Sequence, residues 1–326
     1  MDCFNVTILG CGSAKPTRWH KPSAQVVNSR GNLFLVDCAE GVQSGLLRCR
    51  IPANKIGHIF LSHLHGDHCL GLVGLLATLG LGDRQGEVVI HGEASMERVF
   101  GPQLDFFCPR LSMAVTFAPH DTRQPAVIYE DDALRVRTVP LRHRVPTAGF
   151  VFEEKPRLRH LNIERAREAG IPVAYYNLIK QGADWTTPDG RTIPNAELTT
   201  PPTPPRRYAY VSDTCYPDGD ARFAAQVAEL VAGADVLYHE ATYGQADRAK
   251  AVERGHSTTL EAAETARRAG VGRLVIGHFS SQNQGPDEEA RLVEEARTVF
   301  PATSAANEGD VIDVKGESFF HSLPQI

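Results

Sequence analysis

Short apolar runs bounded by glycine or polar residues alternate along the chain with longer amphipathic stretches. In the first half, such runs predict buried strands at residues 4–9, 33–37, 59–61, 88–91, 126–129 and 134–141. In that half, residues 69–81 have the leucine spacing of a buried helix. In the second half, strands predicted at 208–211, 236–238 and 274–276 alternate with helices predicted at 222–232, 260–269 and 287–300. The pattern therefore predicts an α/β protein with a strand-rich first half.

From Lys155 to about Arg207, a segment of different composition interrupts this alternation. Its start is basic, with Glu164 as the one acid among five cations, and the proline run at residues 199–206 closes it. We interpret it as an arm inserted at 155–207 into a single domain that spans residues 1–326. The basic run is typical of a solvated helix face, but on an arm it would also supply contacts to nucleic-acid phosphates.

Length and composition are those of an ordinary globular chain. The 326 residues are 42% hydrophobic and 22% charged, and the net charge of −5 favours no charge-driven partner but allows a local basic patch. The seven cysteines include no Cys-x-x-Cys pair, which favours reduced thiols in a cytoplasmic protein. The amino terminus lacks a signal-peptide pattern, and the most apolar run, residues 69–82, is too short to span a membrane.

Three histidines and an aspartate follow directly on a predicted strand. Residues two apart in an extended segment point the same way, so His63 and His65 can bind one metal ion. A turn after His65 lets Asp67 and His68 face a second ion. A polar loop that merely contains histidines is the alternative, but the flanking strand and helix fix the geometry of this loop. The segment therefore predicts a metal site.

Further candidate ligands come after other predicted strands. His143 follows the strand at 134–141, Asp213 follows the strand at 208–211, and His278 follows the strand at 274–276. Each of them alone is more often a structural residue, but functional sites gather at the carboxyl ends of strands in a rigid sheet. Their shared position makes them candidates for the same site.

The spacing His-x-His-x-Asp-His, with later His, Asp and His, resembles the signature of the metallo-β-lactamase superfamily. The resemblance implies an αβ/βα four-layer sandwich with two zinc ions per chain. It places His63, His65 and His143 on one zinc, Asp67, His68 and His278 on the other, and Asp213 between them as a bridge. All seven positions have the expected residue type.

Five sequence blocks narrow this resemblance to the ribonuclease Z family, whose members remove the 3′ trailer from precursor tRNA. The blocks are residues 9–17, 37–43, 239–242, 256–259 and 278–281. The pairing of His-Glu-Ala-Thr with His-Ser-Thr is the most specific of them, because other branches of the superfamily lack it. The resemblance also implies a homodimer in which each arm reaches the tRNA bound to the partner subunit.

Asp67, Glu240 and His256 are the candidate catalytic residues. Phosphodiester cleavage requires a nucleophile, stabilisation of transition-state charge and a proton for the leaving oxygen. Asp67 is suited to orient or deprotonate a water. His256, oriented and kept cationic by Glu240, is suited to act as an acid or phosphate clamp, because an adjacent carboxylate raises an imidazole pKa. The alternative is that His256 is a plain residue before a helix, and His239 is more often a buried hydrogen-bonding histidine than a catalytic one.

The inserted segment resembles the tRNA-gripping arm of the family only in part. Residues 170–182 resemble its Gly-Pro-rich tip, but Ala174-Tyr175 stands where Gly-Pro is expected, so the backbone freedom of glycine is lost. Tyr175 and Tyr176 either stack on RNA or form a small core within the arm. The candidate RNA-contacting residues of the arm are Lys155, Arg157, Arg159, Arg165, Arg167, Tyr175, Tyr176 and Lys180.

Two other functions stay open from the sequence. A different hydrolase of the superfamily, such as a cyclic-nucleotide phosphodiesterase, an arylsulfatase or a lactonase, would share the metal site but has no use for the arm or for the Glu240/His256 pair. A non-catalytic metal-stabilised binding protein has no need of all seven ligands. The bound metal is open as well, since His/Asp sites take zinc, manganese or iron according to availability.

Overall fold

Two large mixed β-sheets form the body of the protein. The computed structural model describes residues 3–82, 84–217, 220–282, 284–314, 316 and 319–321. Its strands are β1 (Phe4–Gly10), β2 (Ala24–Ser29), β3 (Asn32–Val36), β4 (Ile56–Phe60), β5 (Glu87–Gly92), β6 (Ala114–Pro119), β7 (Val127–Glu130), β8 (Leu134–Leu141), β9 (Thr147–Glu154), β10 (His160–Leu161), β11 (Trp185–Thr186), β12 (Thr192–Ile193), β13 (Thr199–Thr200), β14 (Arg207–Val211), β15 (Val236–Glu240), β16 (Arg273–Gly277), β17 (Thr303–Ala305), β18 (Asp310–Asp313) and β19 (Phe319–His321). Its α-helices are α1 (Val42–Arg48), α2 (Gly66–Cys69), α3 (Leu72–Leu81), α4 (Met96–Phe107), α5 (Ile163–Glu168), α6 (Tyr176–Lys180), α7 (Asn195–Leu198), α8 (Ala221–Leu230), α9 (Arg248–Arg254), α10 (Thr259–Ala269) and α11 (Pro286–Arg297).

The two sheets stack face to face between two layers of helices. The first sheet has the strand order β19-β18-β1-β2-β3-β4-β5-β6, and the second has the order β17-β16-β15-β14-β9-β8-β7. One buried cluster contains side chains of both sheets, among them Phe34 and Phe60 from the first and Phe152 and Tyr210 from the second. A second cluster joins the first sheet to α1, α3 and α4, and a third joins the second sheet to α8, α10 and α11. The result is the four-layer sandwich that the resemblance implies.

Strand β14 shows why the apolar runs predict buried strands. Tyr208 and Tyr210 point into the cluster between the sheets, whereas Ala209 and Val211 point into the cluster that holds the helices. Successive side chains of a strand alternate between its two faces, so a strand covered on both faces is apolar at every position.

The strand ends collect polar residues at one edge of the body. Strands β14, β15 and β16 are parallel neighbours, and Asp213, Glu240 and His278 lie at or just beyond their carboxyl ends. In the first sheet, β3 and β4 are also parallel neighbours. Asp37 follows β3, and the loop that begins after β4 contains His63.

The first half is strand-rich as predicted, but it contains more helices than the one expected at residues 69–81, since α1, α2 and α4 also lie there. Helix α4 was not expected, since it contains Gly101 and Pro102, two residues that discourage helix formation. Met96, Phe100 and Leu104 are nevertheless spaced four apart and buried together. The burial of this face outweighs the backbone hydrogen bond that the proline removes.

Residues Glu154–Pro205 form a compact unit of their own, with bounds close to the insertion predicted at 155–207. The unit contains α5, α6, α7 and two small strand pairs, β10 with β13 and β11 with β12. Its core consists of Ala166, Ile171, Ile179 and Leu198. In the described part of the chain, no helix combines the length and the apolar character that crossing a bilayer requires.

Candidate metal centre

The loop after β4 carries its histidines into the protein interior. His63 in the loop and His68 in the following α2 are fully buried, and His65 is partly exposed. The loop is fixed at both ends, because the N–H of Leu61 donates to the carbonyl of His91 at 2.8 Å and α2 begins immediately after His65. The side chains of the loop are therefore held on a short, rigid connection.

Four side chains converge in a first group. His65 Nδ1 lies 3.1 Å from His63 Nε2 and 3.1 Å from His143 Nε2. Asp213 Oδ2 lies 3.6 Å from the Nε2 atoms of His63 and His143. One nitrogen or oxygen atom from each residue lies within 4.8 Å of the others, a set of donors that suits one zinc ion.

A second group lies beside the first and also includes Asp213. His68 Nε2 lies 3.2 Å from His278 Nε2. Asp213 Oδ1 lies 3.4 Å from His68 Nε2 and 3.3 Å from His278 Nε2. Asp67 Oδ2 lies 3.5 Å from His278 Nε2. The structure thus brings together all seven predicted ligand residues, with one oxygen of Asp213 facing each group.

Asp213 shows that these residues fit divalent metal ions. Its side chain is 2% exposed, and its Oδ1 makes no hydrogen bond within the described ranges. A buried carboxylate oxygen without a partner is costly, and a cation between Asp213 and the histidines would remove that cost. Imidazole nitrogens and carboxylate oxygens are also the donors that zinc and related ions take in proteins.

A buried carboxylate orients His68 from the far side of its ring. Asp37 Oδ2 lies 2.7 Å from His68 Nδ1 and accepts hydrogen bonds from Ser62 Oγ at 2.9 Å and Tyr210 OH at 2.7 Å. Its Oδ1 accepts the N–H of Ser62 at 2.8 Å. With the Nδ1 proton held by Asp37, the lone pair of His68 Nε2 faces the metal group.

Two other ligands are oriented in the same way. His143 Nδ1 lies 2.7 Å from the carbonyl of Gly255, and His278 Nδ1 lies 2.9 Å from Thr242 Oγ1. His278 and Asp37 also have left-handed backbone conformations, with φ of 61° and 55°. Such strain in residues other than glycine persists only where the surrounding structure enforces it, and it concentrates at functional sites.

At His63 and Asp67 the environment favours the protonation states that bind metal, whereas at His68 burial is outweighed by Asp213, Asp37 and Asp67, which raise the pKa of the ring above its ordinary value. Burial, helped by the neighbouring His68, lowers the pKa of His63 well below its ordinary value. Burial alone would raise the pKa of Asp67, but His68 and His278 hold it well below its ordinary value. A neutral imidazole and an ionised carboxylate are the forms in which these side chains act as ligands.

Glu240 is fully buried and accepts four hydrogen bonds. Its Oε1 accepts the N–H groups of Thr214 and Ser257, and its Oε2 accepts the N–H of Thr242 at 3.0 Å and the hydroxyl of Thr242 at 2.7 Å. Thr214 follows Asp213 in the chain, and Ser257 follows His256. The carboxylate therefore joins three separate segments of the site.

His256 lies at ion-pair distance from two carboxylates without a hydrogen bond to either. Its Nδ1 is 3.7 Å from Glu240 Oε1 and 3.8 Å from Asp213 Oδ2. Burial opposes protonation of the ring, but Asp213 and Glu240 together raise its pKa above the ordinary value. These distances favour a cationic ring held by charge, while Glu240 accepts its hydrogen bonds from three backbone N–H groups and the hydroxyl of Thr242.

The site opens into a cavity of about 330 Å³. Asp67, Asp213 and His256 line it, and so do the side chains of Arg144 and Arg254. Both arginines are exposed. Cations at the mouth of a cavity that ends in metal ligands suit a polyanionic ligand.

Sequence comparison gives the family of the chain. It is 48% identical over 314 residues to a ribonuclease Z of Porphyromonas gingivalis, a match that covers 96% of this chain and 100% of that protein. The chain belongs to the ribonuclease Z family. A ribonuclease Z of Bacteroides thetaiotaomicron is 45% identical, with 96% of each chain covered. The sequence model of one protein family, described as Anti-Pycsar protein Apyc1, matches residues 4–96.

Solved structures confirm the predicted fold. The crystal structure of human tRNase Z, short form, matches with a TM-score of 0.67 at 24% identity and covers 95% of this chain and 99% of that one. The metallo-β-lactamase fold protein YhfI from Bacillus subtilis matches with a TM-score of 0.65 at 21% identity, with the same coverage. The chain therefore has the metallo-β-lactamase fold.

The eight arm residues singled out in the sequence all lie in the unit Glu154–Pro205. Arg165, Arg167 and Tyr175 are exposed, and Lys155, Arg157, Arg159, Tyr176 and Lys180 are partly buried. Arg157 is bound within the arm to Glu154 at 2.8 Å. Tyr176 packs against the arm core, whereas Tyr175 is 45% exposed and contacts the edge of Trp185 at a ring-centroid distance of 5.2 Å. Of the two tyrosines, Tyr175 has more surface to offer a ligand.

Sequence reasoning missed the residues that orient the ligands. Asp37 ends a predicted strand, and Asp213 also lies next to the end of a strand. A carboxylate at the end of a predicted strand is therefore a signal that could have found Asp37. Ser62 and Tyr210 carry no comparable signal, because one lies in a loop and the other inside an apolar strand. Tyr210 is 173 residues from Asp37 in the chain, so only the fold shows that they meet.

Proposed function

We propose that this chain is an endoribonuclease that removes the 3′ trailer from precursor tRNA by metal-dependent phosphodiester hydrolysis. The observation that carries the proposal is the convergence of six other ligand residues on Asp213, next to a cavity lined by two arginines. The relative from Porphyromonas gingivalis that shares 48% of its residues with this chain is a ribonuclease Z. Geometry and relationship thus point to the same substrate.

Two zinc ions would occupy the site. One would be held by His63, His65 and His143, the other by Asp67, His68 and His278, with Asp213 between them. When bound, such a pair activates water and offsets negative charge on a phosphodiester. The grouping is supported by the two sets of donor distances and by the unpartnered Oδ1 of Asp213.

The chain's own residues would position water and move protons. Asp67 Oδ2 already accepts the N–H of Ala14 at 2.6 Å, so the carboxylate is held in place to orient the attacking water. His256 has its Nδ1 side turned towards Glu240 and Asp213. Its Nε2 is the nitrogen left to donate a proton to the leaving oxygen.

RNA binding would involve both units of the chain. Arg144 and Arg254 line the cavity and would contact phosphates next to the scissile bond. On the arm, the exposed Arg165 and Arg167 would contact tRNA away from the cut, and Tyr175 would stack on a base. As the family resemblance implies, we propose a cytoplasmic homodimer in which each arm serves the tRNA bound to the partner subunit.

Mapping the cut on a precursor tRNA tests the proposal. Metal-loaded protein should cleave at the 3′ side of the acceptor stem, chelator should stop cleavage, and Asp67→Ala should abolish it while the fold stays intact. Hydrolysis of a 2′,3′- or 3′,5′-cyclic nucleotide with no cut in precursor tRNA would instead identify a different hydrolase of this fold. Binding of metal with no hydrolysis of either substrate would leave a metal-stabilised binding protein.

A further inference from the structure

A second cluster of buried polar side chains lies outside the metal centre. His20 is 5% exposed, and its two ring nitrogens contact two different carboxylates. Its Nε2 lies 2.7 Å from Glu289 Oε1, and its Nδ1 lies 3.0 Å from Glu308 Oε2. Because each nitrogen faces a carboxylate oxygen, both must carry a proton, and the ring is an imidazolium between two anions. Burial of the ring opposes this charge, but contacts with Cys11, Glu289 and Glu308 raise the pKa of His20 above its ordinary value.

The cluster closes the base of the loop formed by residues 11–22. The N–H of Gly12 donates to the carbonyl of Lys21 at 2.9 Å, which joins the two ends of the loop. The ends approach so closely that a Cβ on Gly12 would lie 2.8 Å from the Cβ of His20. Lys21 N–H also donates to Glu308 at 2.8 Å. The loop is thus anchored to the body at its base by His20 and Lys21.

The tip of the same loop reaches the metal centre. Ala14 donates its N–H to Asp67 Oδ2 at 2.6 Å, and it does so with a φ of 65°, a conformation that residues other than glycine disfavour. Ala14 is exposed, so packing around its own side chain does not hold it there. The constraint comes from the neighbouring residues of the loop, in which the N–H of Ser13 donates to the carbonyl of Phe279 at 3.1 Å and the base is held by His20 and Lys21.

We propose that His20, held between Glu289 and Glu308, is a positioning residue that fixes this loop so that Ala14 orients Asp67. The proposal rests on the proposed function, in which Asp67 is both a ligand and the residue that orients the attacking water. His20 touches neither substrate nor ligand. It acts through the loop, and the two glutamates tie that loop to α11 and to the segment before β18.

Kinetics and metal release together test this role. In metal-loaded protein, His20→Asn should lower kcat on precursor tRNA at least tenfold while KM changes less than threefold, because Asp67 is misplaced and the RNA-binding surface is not. A chelator should withdraw one of the two ions at least fivefold faster than from the wild type. Glu289→Gln, which leaves Glu308 on the ring, should give smaller changes in the same direction, and it serves as the test if His20→Asn does not fold.

Leu292→Ala is the matched control. Leu292 lies on α11 one turn after Glu289 and is fully buried, so its truncation loosens the same helix without touching His20. Compared at equal folded fractions, this variant should keep wild-type kcat and metal release. Equal losses in Leu292→Ala would reduce His20 to a general stability role and overturn the proposal.

Two other results would also overturn it. If His20→Asn has the same kcat and the same rate of metal release as the wild type, the loop does not need His20 to hold it in place. A third ion per wild-type chain that is lost in His20→Asn would show that Cys11, His20 and Glu308, whose donor atoms lie within 4.8 Å of one another, bind metal instead. If the wild type does not cut precursor tRNA, the proposed function fails, but the metal-release comparison still decides the role of His20.

Discussion

Replacing Asp37 with asparagine should weaken metal binding while leaving the sandwich folded. Asp37 is fully buried, and its Oδ2 is the meeting point of His68 Nδ1, Ser62 Oγ and Tyr210 OH at 2.7, 2.9 and 2.7 Å. Asparagine has nearly the same shape, so the packing around it changes little. What changes is that one acceptor becomes a donor.

The size of the effect follows from these contacts. An amide nitrogen at the position of Oδ2 would face the Nδ1 proton of His68, and the ring avoids that clash only by moving its proton to Nε2, the atom needed for the metal. The opposite amide orientation places the nitrogen against the N–H of Ser62 instead. Loss of one hydrogen bond to a charged group costs about 1.5–3 kcal/mol, which corresponds to a roughly 10- to 100-fold loss of metal affinity.

Titration against a chromophoric chelator measures this affinity directly. Asp37→Asn should release one ion at a chelator concentration roughly 10- to 100-fold lower than the wild type does, and kcat should fall with occupancy. Tyr210→Phe is the control, because it removes one donor to the same oxygen but keeps the carboxylate that holds the Nδ1 proton of His68, so it should lower metal affinity much less than Asp37→Asn does. The reasoning is wrong if the affinity of Asp37→Asn for both ions is within twofold of the wild-type affinity, or if Tyr210→Phe loses as much metal affinity as Asp37→Asn does.

Three further changes test other parts of the molecule. Deletion of residues 160–200 should spare hydrolysis of a small phosphodiester and strongly weaken binding of precursor tRNA, since all seven ligand residues lie outside that span; unchanged tRNA affinity would contradict this. His256→Ala should lower turnover roughly 10²- to 10⁴-fold with both ions retained, and metal analysis that finds an ion missing would make His256 a ligand. Burial lowers the pKa of His91 to about 3. Below about pH 6.5 the unfolded chain therefore binds a proton at this residue that the folded chain does not bind, and at pH 5 this lowers the free energy of unfolding by about 2 kcal/mol. His91→Phe should therefore flatten the acid side of the stability profile relative to wild type, as followed by urea unfolding.

The metal ligands could be predicted from the sequence because the signal is local. His63, His65, Asp67 and His68 are adjacent in the chain, and an apolar strand before them fixes where they lie. His143, Asp213 and His278 each follow their own strand, and the carboxyl ends of strands meet at an edge of a sheet. The family resemblance then connected segments that spacing alone leaves separate.

The residues that hold these ligands could not be predicted in the same way. Asp37, Ser62 and Tyr210 act on one another through the stacking of two sheets, and no local pattern records which strand faces which. Helix α4 was missed because its local sequence is misleading. Gly101 and Pro102 predict that no helix forms there, whereas tertiary packing of the buried face stabilises one. In both cases the deciding interactions join residues that are distant in sequence or buried by other elements.

Glu240→Gln separates two roles of the His-Glu-Ala-Thr block, the electrostatic effect on His256 and the bracing of the backbone. Burying a carboxylate costs several kcal/mol unless its oxygens are well satisfied, and here all four hydrogen bonds come from Thr214, Thr242 and Ser257. A glutamine keeps one acceptor oxygen, so its amide nitrogen must face donors from at least one of these segments. We therefore expect about 1–3 kcal/mol lower stability, looser metal binding and lower turnover together. A variant that loses turnover as His256→Ala does, but keeps wild-type stability and metal affinity, would show that Glu240 acts on His256 alone.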